Sequence, residues 1–496
     1  MSRTSVRFDL TRRQMLRDAG GLIASAAFPA GTRAADVTQA GAERPAVPAQ
    51  ITGLVARYMA ESRDRALPPD VAREAKHRIL DTLAAMISGS RLKPGELAIR
   101  YARTQGGVPE ASIVATSIRT AAVTAALANG MFAHADETDD FEPLTKAHPG
   151  CAVVPAALAV AERHDRSGLE LLTGVTLGYD LCCRWLMALG PAHVRATHRS
   201  AEGVSATFGA AAAAASLARL DEQGMRYVLS YATQQVSGIW SWERDLEHVE
   251  KAFDFGGMGA RNGVAAALMV QAGFTGVPDV LEGDNNALEA HSSQPRPGEM
   301  INGLGSRFFV TETAIKTFSV GYPVQSALDA FLFLRREHAL TTGNVDRIIV
   351  TLPEDGAGIV DDRPMPDVNC QYLLAVALID GGLSFDASHS YERMKDPEVL
   401  AVKRRVQLVP DRTLMDPSAP RSGKVEILLR DGTRVSHFTK YPPGTKESPL
   451  DTAGVNRKAR SLIAPVLGAE RTEALIRRVN DLEAVKSVRE FVRLLV

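Results

Sequence analysis

A long succession of helical patterns, ending in an abrupt change of composition, constrains the fold of this chain more than any other feature. Up to about Gly305, apolar residues recur at spacings of three and four, and turn residues separate the stretches. After about Arg307, runs of β-branched and aromatic residues begin, which are typical of strands. From Asp451 to Val496 the helical pattern returns. The sequence therefore predicts a mainly α protein with a second, smaller α+β domain.

The helical stretches are numerous enough to form a large all-helical domain. They are predicted at Ile51–Ala60, Pro69–Ile87, Thr120–Phe132, Val153–Arg163, Gly168–Leu189, Val204–Ala218, Asp221–Ser237 and Ala260–Gln271. Residues 209–218 are mostly alanine, and a helix that is apolar all round is usually buried. We therefore expect this helix at the centre of the domain.

The smaller domain is predicted to contain an antiparallel sheet with interleaved helices. Asp431-Gly432 lies between two β-branched runs and is a strong hairpin signal. Strands are predicted at Phe308–Val310, Arg347–Leu352 and Lys424–His437, and helices at Val324–Arg336 and Gln371–Asp380. We expect a helical domain over residues 50–307, an α+β lid over 308–445, and C-terminal helices over 446–496 that return to the helical domain.

The first residues have the order of a bacterial export signal. The run 11–16, Thr-Arg-Arg-Gln-Met-Leu, is followed by a weakly apolar stretch over 20–30 and by small residues near 32–35. This order predicts export to the periplasm by the twin-arginine route, with residues 1–35 as the signal peptide. An accidental arginine pair before a short helix is the alternative.

Charge and cysteine content exclude several classes of function. The formal net charge is -1, which predicts no basic surface for nucleic acid. After the signal, no segment approaches the ~20 apolar residues of a membrane-spanning helix. The four cysteines show no metal-ligand spacing, and we expect free thiols. Small-molecule chemistry or protein contact remains.

Residues 134–141, His-Ala-Asp-Glu-Thr-Asp-Asp-Phe, gather four acids beside an imidazole. Such a cluster is costly unless it is solvated or functional, because like charges resist joint ionisation. The alanine-rich lead-in favours a helix over 124–141, in which spacings of three and four define two faces. The predicted faces are His134, Glu137 and Phe141 on one side, and Asp136 and Asp140 on the other. Glu137 is then the expected acid–base group, and a solvated helix end is the alternative.

His148 and Pro149 mark a loop before the next helix, because the residue before a proline avoids helical geometry. The His148 imidazole is therefore expected beside a helix N-terminus. Unpaired amides there favour anions such as a carboxylate and keep an imidazole near neutrality. His148 is thus a candidate proton carrier, and an ordinary loop histidine is the alternative.

A series of short motifs runs through the chain in a fixed order. The motifs are residues 134–141, His148-Pro149-Gly150, Ala260-Arg-Asn-Gly263, Gly273-Phe-Thr-Gly276 with Leu281-Glu282, Ile315-Lys316, and the stretch 371–378. In this order they resemble the MmgE/PrpD family, which includes 2-methylcitrate dehydratase and cis-aconitate decarboxylase. The resemblance covers most of the chain from Ile51 to about Leu494.

The resemblance implies a large all-helical domain formed from both chain ends, a smaller α+β lid, and usually a homodimer. It also implies a small carboxylic acid as substrate and no cofactor. By position it gives Glu137 as an active-site acid, His148 as the acid–base histidine, Lys316 as the carboxylate-binding lysine and Tyr372 as a hydroxyl of the cleft. Removing a proton beside a carboxylate, or returning one after decarboxylation, needs a proton carrier and fixed positive charge.

The chain also departs from the family pattern at polar positions. Phe141 replaces a threonine; Ser200 stands where a histidine is expected, with His198 two residues earlier; Ala252 and Phe255 replace a lysine and a histidine, with Lys251 one position away; and Val324 or Gln325 replaces another histidine. A tricarboxylate substrate is therefore not assured by the resemblance.

Further side chains are candidates for substrate binding. Arg184 could clamp a carboxylate, or pack against the neighbouring tryptophan or pair with Asp180 instead. Arg261 could bind substrate or cap a structural network. His134 is expected to orient Glu137 rather than to react.

The leading hypothesis is a cofactor-independent lyase that eliminates water or releases carbon dioxide from a small carboxylic acid. His148 would move the proton, Glu137 would assist, and Lys316 would hold the carboxylate. An isomerase or epimerase of the same fold is the nearest alternative. Two further alternatives are an exported carboxylate-binding protein and a metal-dependent hydrolase with His134, Asp136, Asp140 and His148 as ligands.

Overall fold

The helices form where the apolar spacing predicts them, in the part of the chain that the structure describes. The structure is a computed structural model that describes residues 50–496, so the predicted signal peptide over 1–35 lies outside the described residues. Within 50–496, no helix combines the length and apolar character needed to cross a membrane. These residues belong to one compact unit.

The first part of the described chain is helical apart from one two-stranded hairpin. Its elements are α1 Ile51–Ser62, α2 Pro69–Gly89, α3 Lys93–Gln105, β1 Ala111–Ser112, β2 Arg119–Thr120, α4 Ala122–His134, α5 Gly150–His164, α6 Gly168–Leu189, α7 Pro191–Ala196, α8 Ala201–Leu217, α9 Glu222–Gln234, α10 Val249–Ala252, α11 Met258–Gln271 and α12 Ala287–His291. The α3 helix was not predicted, because the residues that it buries are small ones such as Ala98 and Ala102, which give a weak periodic signal.

The alanine-rich helix α8 lies at the centre of the first hydrophobic core, as predicted. Every residue of α8 is buried, and its main neighbours are α6 and α11. Close approach of the backbones requires glycine at the contacts: a Cβ on Gly263 would lie 2.4 Å from the backbone nitrogen of Ala211, and one on Gly209 would lie 2.7 Å from the Cβ of Cys182. Small side chains thus set the distance between these helices.

A second hydrophobic core surrounds a four-stranded sheet. Its elements are α13 Gln325–Glu337, β3 Val345–Pro353, α14 Glu354–Val360, α15 Cys370–Asp380, α16 Phe385–Ser388, α17 Pro397–Lys403, β4 Val406–Asp411, β5 Gly423–Leu429 and β6 Arg434–Thr439. The strand order is β4-β3-β5-β6, and β5 and β6 form the predicted hairpin around Asp431-Gly432.

Two predictions about the sheet are wrong. The sheet is mixed rather than antiparallel, because β3 pairs with β4 in parallel after the connection through α14 to α17 returns the chain to the sheet edge. The predicted strand Phe308–Val310 is absent from the described sheet. Phe309 instead begins a 3₁₀ turn, and its backbone amide donates to Asp180 Oδ1 at 2.8 Å.

The C-terminal helices share the first core. They are α18 Thr452–Leu467, α19 Ala469–Asn480 and α20 Val488–Phe491. Val455, Ile463 and Leu475 are buried there among the N-terminal helices. The predicted fold class, mainly α with a smaller α+β part, is confirmed. The predicted domain limits at 307/308 and 445/446 stay predictions, since both cores belong to one compact unit.

Candidate active site

The segment between α4 and α5 is a loop rather than the helix predicted to continue to Phe141. Helix α4 ends at His134, so the predicted helical faces are wrong. The Asp136 carboxylate accepts a hydrogen bond from the Thr138 amide at 3.0 Å, a local contact that competes with helical bonding. Glu137 has φ 55°, in the left-handed region, and turns the chain. The side chains of successive acids in this loop therefore lie in different environments.

A short backbone bridge brings Lys316 to this loop. The Phe141 amide donates to the Ala314 carbonyl at 3.0 Å, and the Ala314 amide donates to the Phe141 carbonyl at 2.7 Å. The Gln325 side chain accepts hydrogen bonds from the two amides that follow Lys316, each at 3.1 Å. Residues distant in sequence thus fix the position of the lysine.

Glu137 is a buried carboxylate with an ammonium group at each oxygen. Lys316 Nζ lies 3.1 Å from Oε2, and Lys251 Nζ contacts Oε1. The Nε2 atoms of His134 and His248 lie 3.6 and 3.7 Å from Oε1. Burial works to raise the pKa of Glu137, but the two lysines outweigh it and hold the pKa well below its ordinary value. Glu137 is therefore an ionised group that holds two lysines.

Asp139 joins His148 to the same cluster. Its carboxylate lies 2.9 Å from the Nδ1 atoms of His134 and His148, and 3.3 Å from Lys316 Nζ. Burial opposes ionisation, but His134, Lys316 and His148 together hold the pKa of Asp139 well below its ordinary value. When each Nδ1–H donates to Asp139, the Nε2 atom of each ring is left for proton exchange.

His134 supports the cluster from the end of α4. Burial lowers the pKa of its imidazole to about 3, even though Asp139 and Glu137 act to raise it, so the ring stays neutral. The ring stacks on Phe255 with centroids 3.9 Å apart. Its hydrogen bond is to Asp139 at 2.9 Å, whereas Glu137, the acid that it was predicted to orient, lies 3.6 Å from Nε2.

Asp136 and Asp140 lie outside the cluster and hold the loop in place. Ser88 Oγ donates to Asp136, and the Gly150 amide donates to Asp140 Oδ1 at 2.9 Å. Burial raises the pKa of each carboxyl to about 6. These two acids face hydroxyl and amide donors, and no lysine or arginine forms an ion pair with either within residues 50–496.

The predicted metal-ligand set of His134, Asp136, Asp140 and His148 is not formed, because its two acids bind the loop instead. Two other groups have ligand atoms close enough for one ion: His134 with Glu137 and His248, and His134 with Asp139 and His148. In both groups, however, a lysine ammonium already contacts the carboxylate. Positive charge at that distance opposes the binding of a divalent cation.

A π-helical turn over Phe253–Gly257 lies between Lys251 and the motif Ala260-Arg-Asn-Gly263. A π turn closes i→i+5 hydrogen bonds, so residues before it are displaced by one position relative to an uninterrupted α-helix. The helical face that Lys251 occupies relative to Ala260 therefore differs from the face that uninterrupted α-helical spacing would give. Lys251 contacts Glu137, and Ala252 is buried in the first core.

The expected histidine is not restored at Ser200. His198 is exposed, whereas Ser200 begins α8 and accepts a hydrogen bond from Trp242 Nε1 at 3.1 Å. A different imidazole, His248, enters the cluster from the loop before α10. Sequence reasoning missed His248, because it lies in none of the motifs that carry the resemblance.

Tyr372, Arg184 and Arg261 do not join the cluster. The Tyr372 hydroxyl donates to a backbone carbonyl of α16, inside the second core. Arg184 donates to three backbone carbonyls within residues 302–307. Arg261 donates to the side chain of Asn262. Each side chain is already bound elsewhere, which corrects the prediction that it lines the site.

A cavity of about 60 Å³ is lined by Glu137, His148 and Lys251. Its walls include Phe255 of the first core. They also include Phe141 and Tyr322, which form a small separate cluster with Ala314 and whose rings stack with centroids 4.2 Å apart. Sites for small ligands usually have volumes of roughly 300–1,000 Å³. The volume of this cavity is below that range.

The same cavity is lined by the cations Lys146, Arg195 and Arg421. Asp355 lies 2.9 Å from Arg421 and 3.5 Å from Arg195. Burial, followed by the charge of Arg421, lowers the pKa of Lys146 to about 7, and within residues 50–496 no carboxylate lies within 4.0 Å of its ammonium group. One carboxylate thus faces two arginines and a lysine whose pKa is about 7, so the charge of this part of the cavity is net positive.

Comparison with known proteins gives one consistent result. The model of the MmgE/PrpD N-terminal domain matches residues 54–300, and that of the C-terminal domain matches residues 318–483. The chain is 23% identical to a cis-aconitate decarboxylase-like protein, oryM, of Aspergillus oryzae over 90% of this chain and 97% of that one.

Two further relatives have more specific names. Cis-aconitate decarboxylase of Aspergillus terreus is 24% identical over 86% of this chain and 92% of its own length. The human cis-aconitate decarboxylase is 25% identical over 83% of this chain and 88% of its own length. The relatives support the prediction of a lyase enzyme, and the two domain matches establish that this chain belongs to the MmgE/PrpD family.

Proposed function

We propose that this chain is a lyase that removes water or carbon dioxide from a small carboxylic acid without a cofactor. The observation that supports the proposal best is the single buried cluster in which His148, Lys251 and Lys316 meet through Glu137 and Asp139. Relatives named cis-aconitate decarboxylase support the same class of reaction.

His148 is the proton carrier in this proposal. Asp139 holds its Nδ1–H, which leaves Nε2 free on a ring that lines the cavity. In a dehydration, Nε2 takes a proton from the carbon beside a carboxylate, and the C–H electrons form the double bond. The hydroxyl takes up a proton as the C–O bond breaks and leaves as water. In a decarboxylation, the electrons of the broken C–C bond stay on carbon, and the protonated ring returns a proton to it.

Lys251 and Lys316 supply fixed positive charge. Both ammonium groups are buried and held by Glu137. Negative charge that develops on a substrate carboxylate beside them is stabilised more strongly than in water, because the site is dry and the charges need no reorganisation. Glu137 acts in this account by positioning the lysines rather than by carrying a proton.

The substrate in this proposal has at least two carboxylates. One carboxylate would bind near Lys251 and Lys316, and a second would bind near Lys146, Arg195 and Arg421. Replacing Lys146 by Met should raise KM for di- and tricarboxylates about tenfold, the value of one hydrogen bond to a charged group. Monocarboxylates should be unaffected, and the matched variant of the exposed Lys395, Lys395→Met, should leave every KM unchanged.

The function is tested by incubating the full chain with mono-, di- and tricarboxylic acids, cis-aconitate among them, in D₂O and following the products by NMR. Release of carbon dioxide or formation of a dehydrated acid is the expected result. A product of unchanged composition would indicate the isomerase or epimerase instead. Saturable binding without conversion would indicate a binding protein, and loss of turnover on chelation would indicate a metal enzyme.

Export and dimer formation belong to the proposal as well. The twin-arginine pattern within residues 1–35 supports export to the periplasm, and the family resemblance supports a homodimer. Cell fractionation of the full chain, with Arg12 and Arg13 replaced by Lys as the control, tests the first. The mass of the purified protein in solution tests the second.

A further inference from the structure

Lys146 and Lys251 both line the cavity of about 60 Å³ beside His148, but their ammonium groups have different surroundings. The Glu137 carboxylate holds Lys251 Nζ. Lys146 Nζ has no hydrogen-bond partner, and no carboxylate lies within 4.0 Å of it, in the part of the chain that the structure describes. Lys146 is therefore an amine that no ion pair holds in its charged form.

The groups around Lys146 favour the uncharged amine. Arg195 and Arg421 line the same cavity and carry positive charge. The acids near this lysine are bound elsewhere, since Asp355 lies 2.9 Å from Arg421 and the Glu142 carboxylate accepts hydrogen bonds within its own turn. Burial, followed by the charge of Arg421, lowers the pKa of Lys146 to about 7. A large fraction of such an amine is unprotonated at neutral pH, and an unprotonated amine is a nucleophile.

The backbone presents Lys146 in an uncommon conformation. Its φ is 68°, in the left-handed region that residues other than glycine rarely adopt. The Lys146 amide donates to the Glu142 carbonyl at 2.9 Å, and the Glu142 amide donates to the Ala147 carbonyl at 2.8 Å, so two hydrogen bonds maintain this turn. Such strained residues cluster at functional sites. The turn carries the lysine into the cavity that His148 also lines.

The same cavity offers an unpaired donor for a carboxylate. Arg421 Nε is buried and has no hydrogen-bond partner within residues 50–496, whereas Nη1 of this side chain lies 2.9 Å from Asp355 Oδ1. An unpaired buried donor costs free energy, and carboxylates are preferred acceptors for arginine. A carboxylate bound in the cavity would give Arg421 Nε the acceptor that it lacks.

The volume of the cavity indicates the size of its ligand. A cavity needs roughly 10–15 Å³ to hold one water molecule, so about 60 Å³ has room for roughly four to six groups of that size. A short 2-oxo acid such as glyoxylate or pyruvate has about five or six non-hydrogen atoms and fits this room. Its carboxylate stands beside a keto carbon, which is the atom that an amine attacks.

We propose that Lys146 is an amine nucleophile that forms an imine with a short 2-oxo acid, whose carboxylate binds to Arg421. The nitrogen lone pair attacks the keto carbon and forms the C–N bond, while the C=O π electrons move to oxygen. This oxygen then leaves as water with the two protons of the amine, and the C=N bond forms. No oxidant or reductant takes part. The activity goes beyond the proposed lyase reaction and does not depend on it.

Reductive trapping with pyruvate tests the nucleophile. The full chain is incubated at neutral pH with pyruvate and sodium cyanoborohydride, which reduces an imine to a stable amine, and peptide mass spectrometry locates the labelled lysines. Lys146 should be labelled at least about tenfold faster than the exposed Lys395, because far more of its amine is unprotonated. Lys251 should be labelled more slowly than Lys146, because Glu137 holds its ammonium group. Labelling of Lys146 no faster than that of Lys395 would overturn the proposal.

Two variants confirm the assignment of the labelled peptide. Lys146→Met should remove the fast phase of labelling, and the matched variant Lys395→Met should keep it. A fast phase that persists in a folded Lys146→Met protein would also overturn the proposal. Should Lys146→Met not fold, the peptide map of the wild type decides alone.

Acetone in place of pyruvate tests the binding of the carboxylate, because acetone has a keto carbon without a carboxylate. The rate of labelling at Lys146 relative to that at Lys395 should fall about tenfold or more, the value of one hydrogen bond to a charged group. An equal ratio for both probes would overturn the binding at Arg421. Trapping needs no turnover, so a chain that is trapped at Lys146 but converts no acid of the panel would contradict the lyase function alone.

Discussion

The loop over residues 136–140 contains two pairs of acids that differ in what they bind. Glu137 and Asp139 face lysines and imidazoles, which lower the pKa of both carboxyls. Asp136 and Asp140 face hydroxyl and amide donors, and burial raises the pKa of both to about 6. Burial is nearly complete in all four, so the partner rather than the depth decides which acid stays ionised.

This difference explains how one short loop can serve both chemistry and structure. The ionised pair holds His148, Lys251 and Lys316 in one cluster. The other pair fixes the backbone that carries it, through the amides of Thr138 and Gly150. Removing an acid of the first pair should therefore impair activity, and removing one of the second should change mainly stability.

Among the four acids of this loop, the largest effect is expected for Glu137→Gln. The change leaves Lys251 without its ionised partner and Lys316 with Asp139 alone. An uncompensated buried charge costs roughly 3–5 kcal/mol, and the displaced lysines should lower kcat by about 10²-fold or more. Chemical denaturation and steady-state kinetics measure the two effects. A wild-type kcat for this variant would show that Glu137 has no part in catalysis.

A smaller loss is expected for Asp139→Asn. An amide can accept from one imidazole but cannot balance the charge of Lys316, so His148 loses its fixed tautomer. We expect kcat to fall roughly 10²-fold, with a smaller loss of stability than for Glu137→Gln. Equal kcat values for Asp139→Asn and Asp140→Asn would contradict the view that the two pairs of acids have different roles.

The smallest effect is expected for Asp140→Asn, and it should depend on pH. A pKa raised from 3.8 to about 6 contributes stability that is complete below pH 3.8 and lost as the pH rises through 6. The neutral amide of the variant would have no such dependence. The variant should therefore gain about 2 kcal/mol relative to the wild type between pH 4.5 and pH 7.5, measured by denaturation at each pH. A constant difference between the two proteins would show that Asp140 does not titrate in this range.

Local patterns predicted most of the helices and the hairpin. Helix α6 begins and ends at the predicted residues, Gly168 and Leu189, because Ser167 and Glu170 form a capping box at its start. Pairing of β3 with β4 was not predictable in the same way. The two strands are distant in sequence, and β4 has a weak alternation of buried and exposed residues.

The sequence motifs predicted which residues form the site, but they did not predict how those residues are arranged. His148, Glu137 and Lys316 lie in motifs, and the structure brings them together around Asp139. Alanine-rich sequence before His134 favoured a longer helix, but side-chain contacts of Asp136 end it. The π turn that positions Lys251 leaves no clear signal in a single sequence, and His248 depends on a partner more than a hundred residues away, Asp367.

The most direct test of the whole account is the kcat of His148→Gln with the best acid of the panel, measured beside its midpoint of thermal unfolding. The account predicts a fall in kcat of roughly 10²–10⁴-fold, because the proton carrier is lost. Thermal unfolding should change little, because the Glu137 ion pairs with Lys251 and Lys316 remain. Turnover at the wild-type rate by a normally folded His148→Gln protein would contradict it.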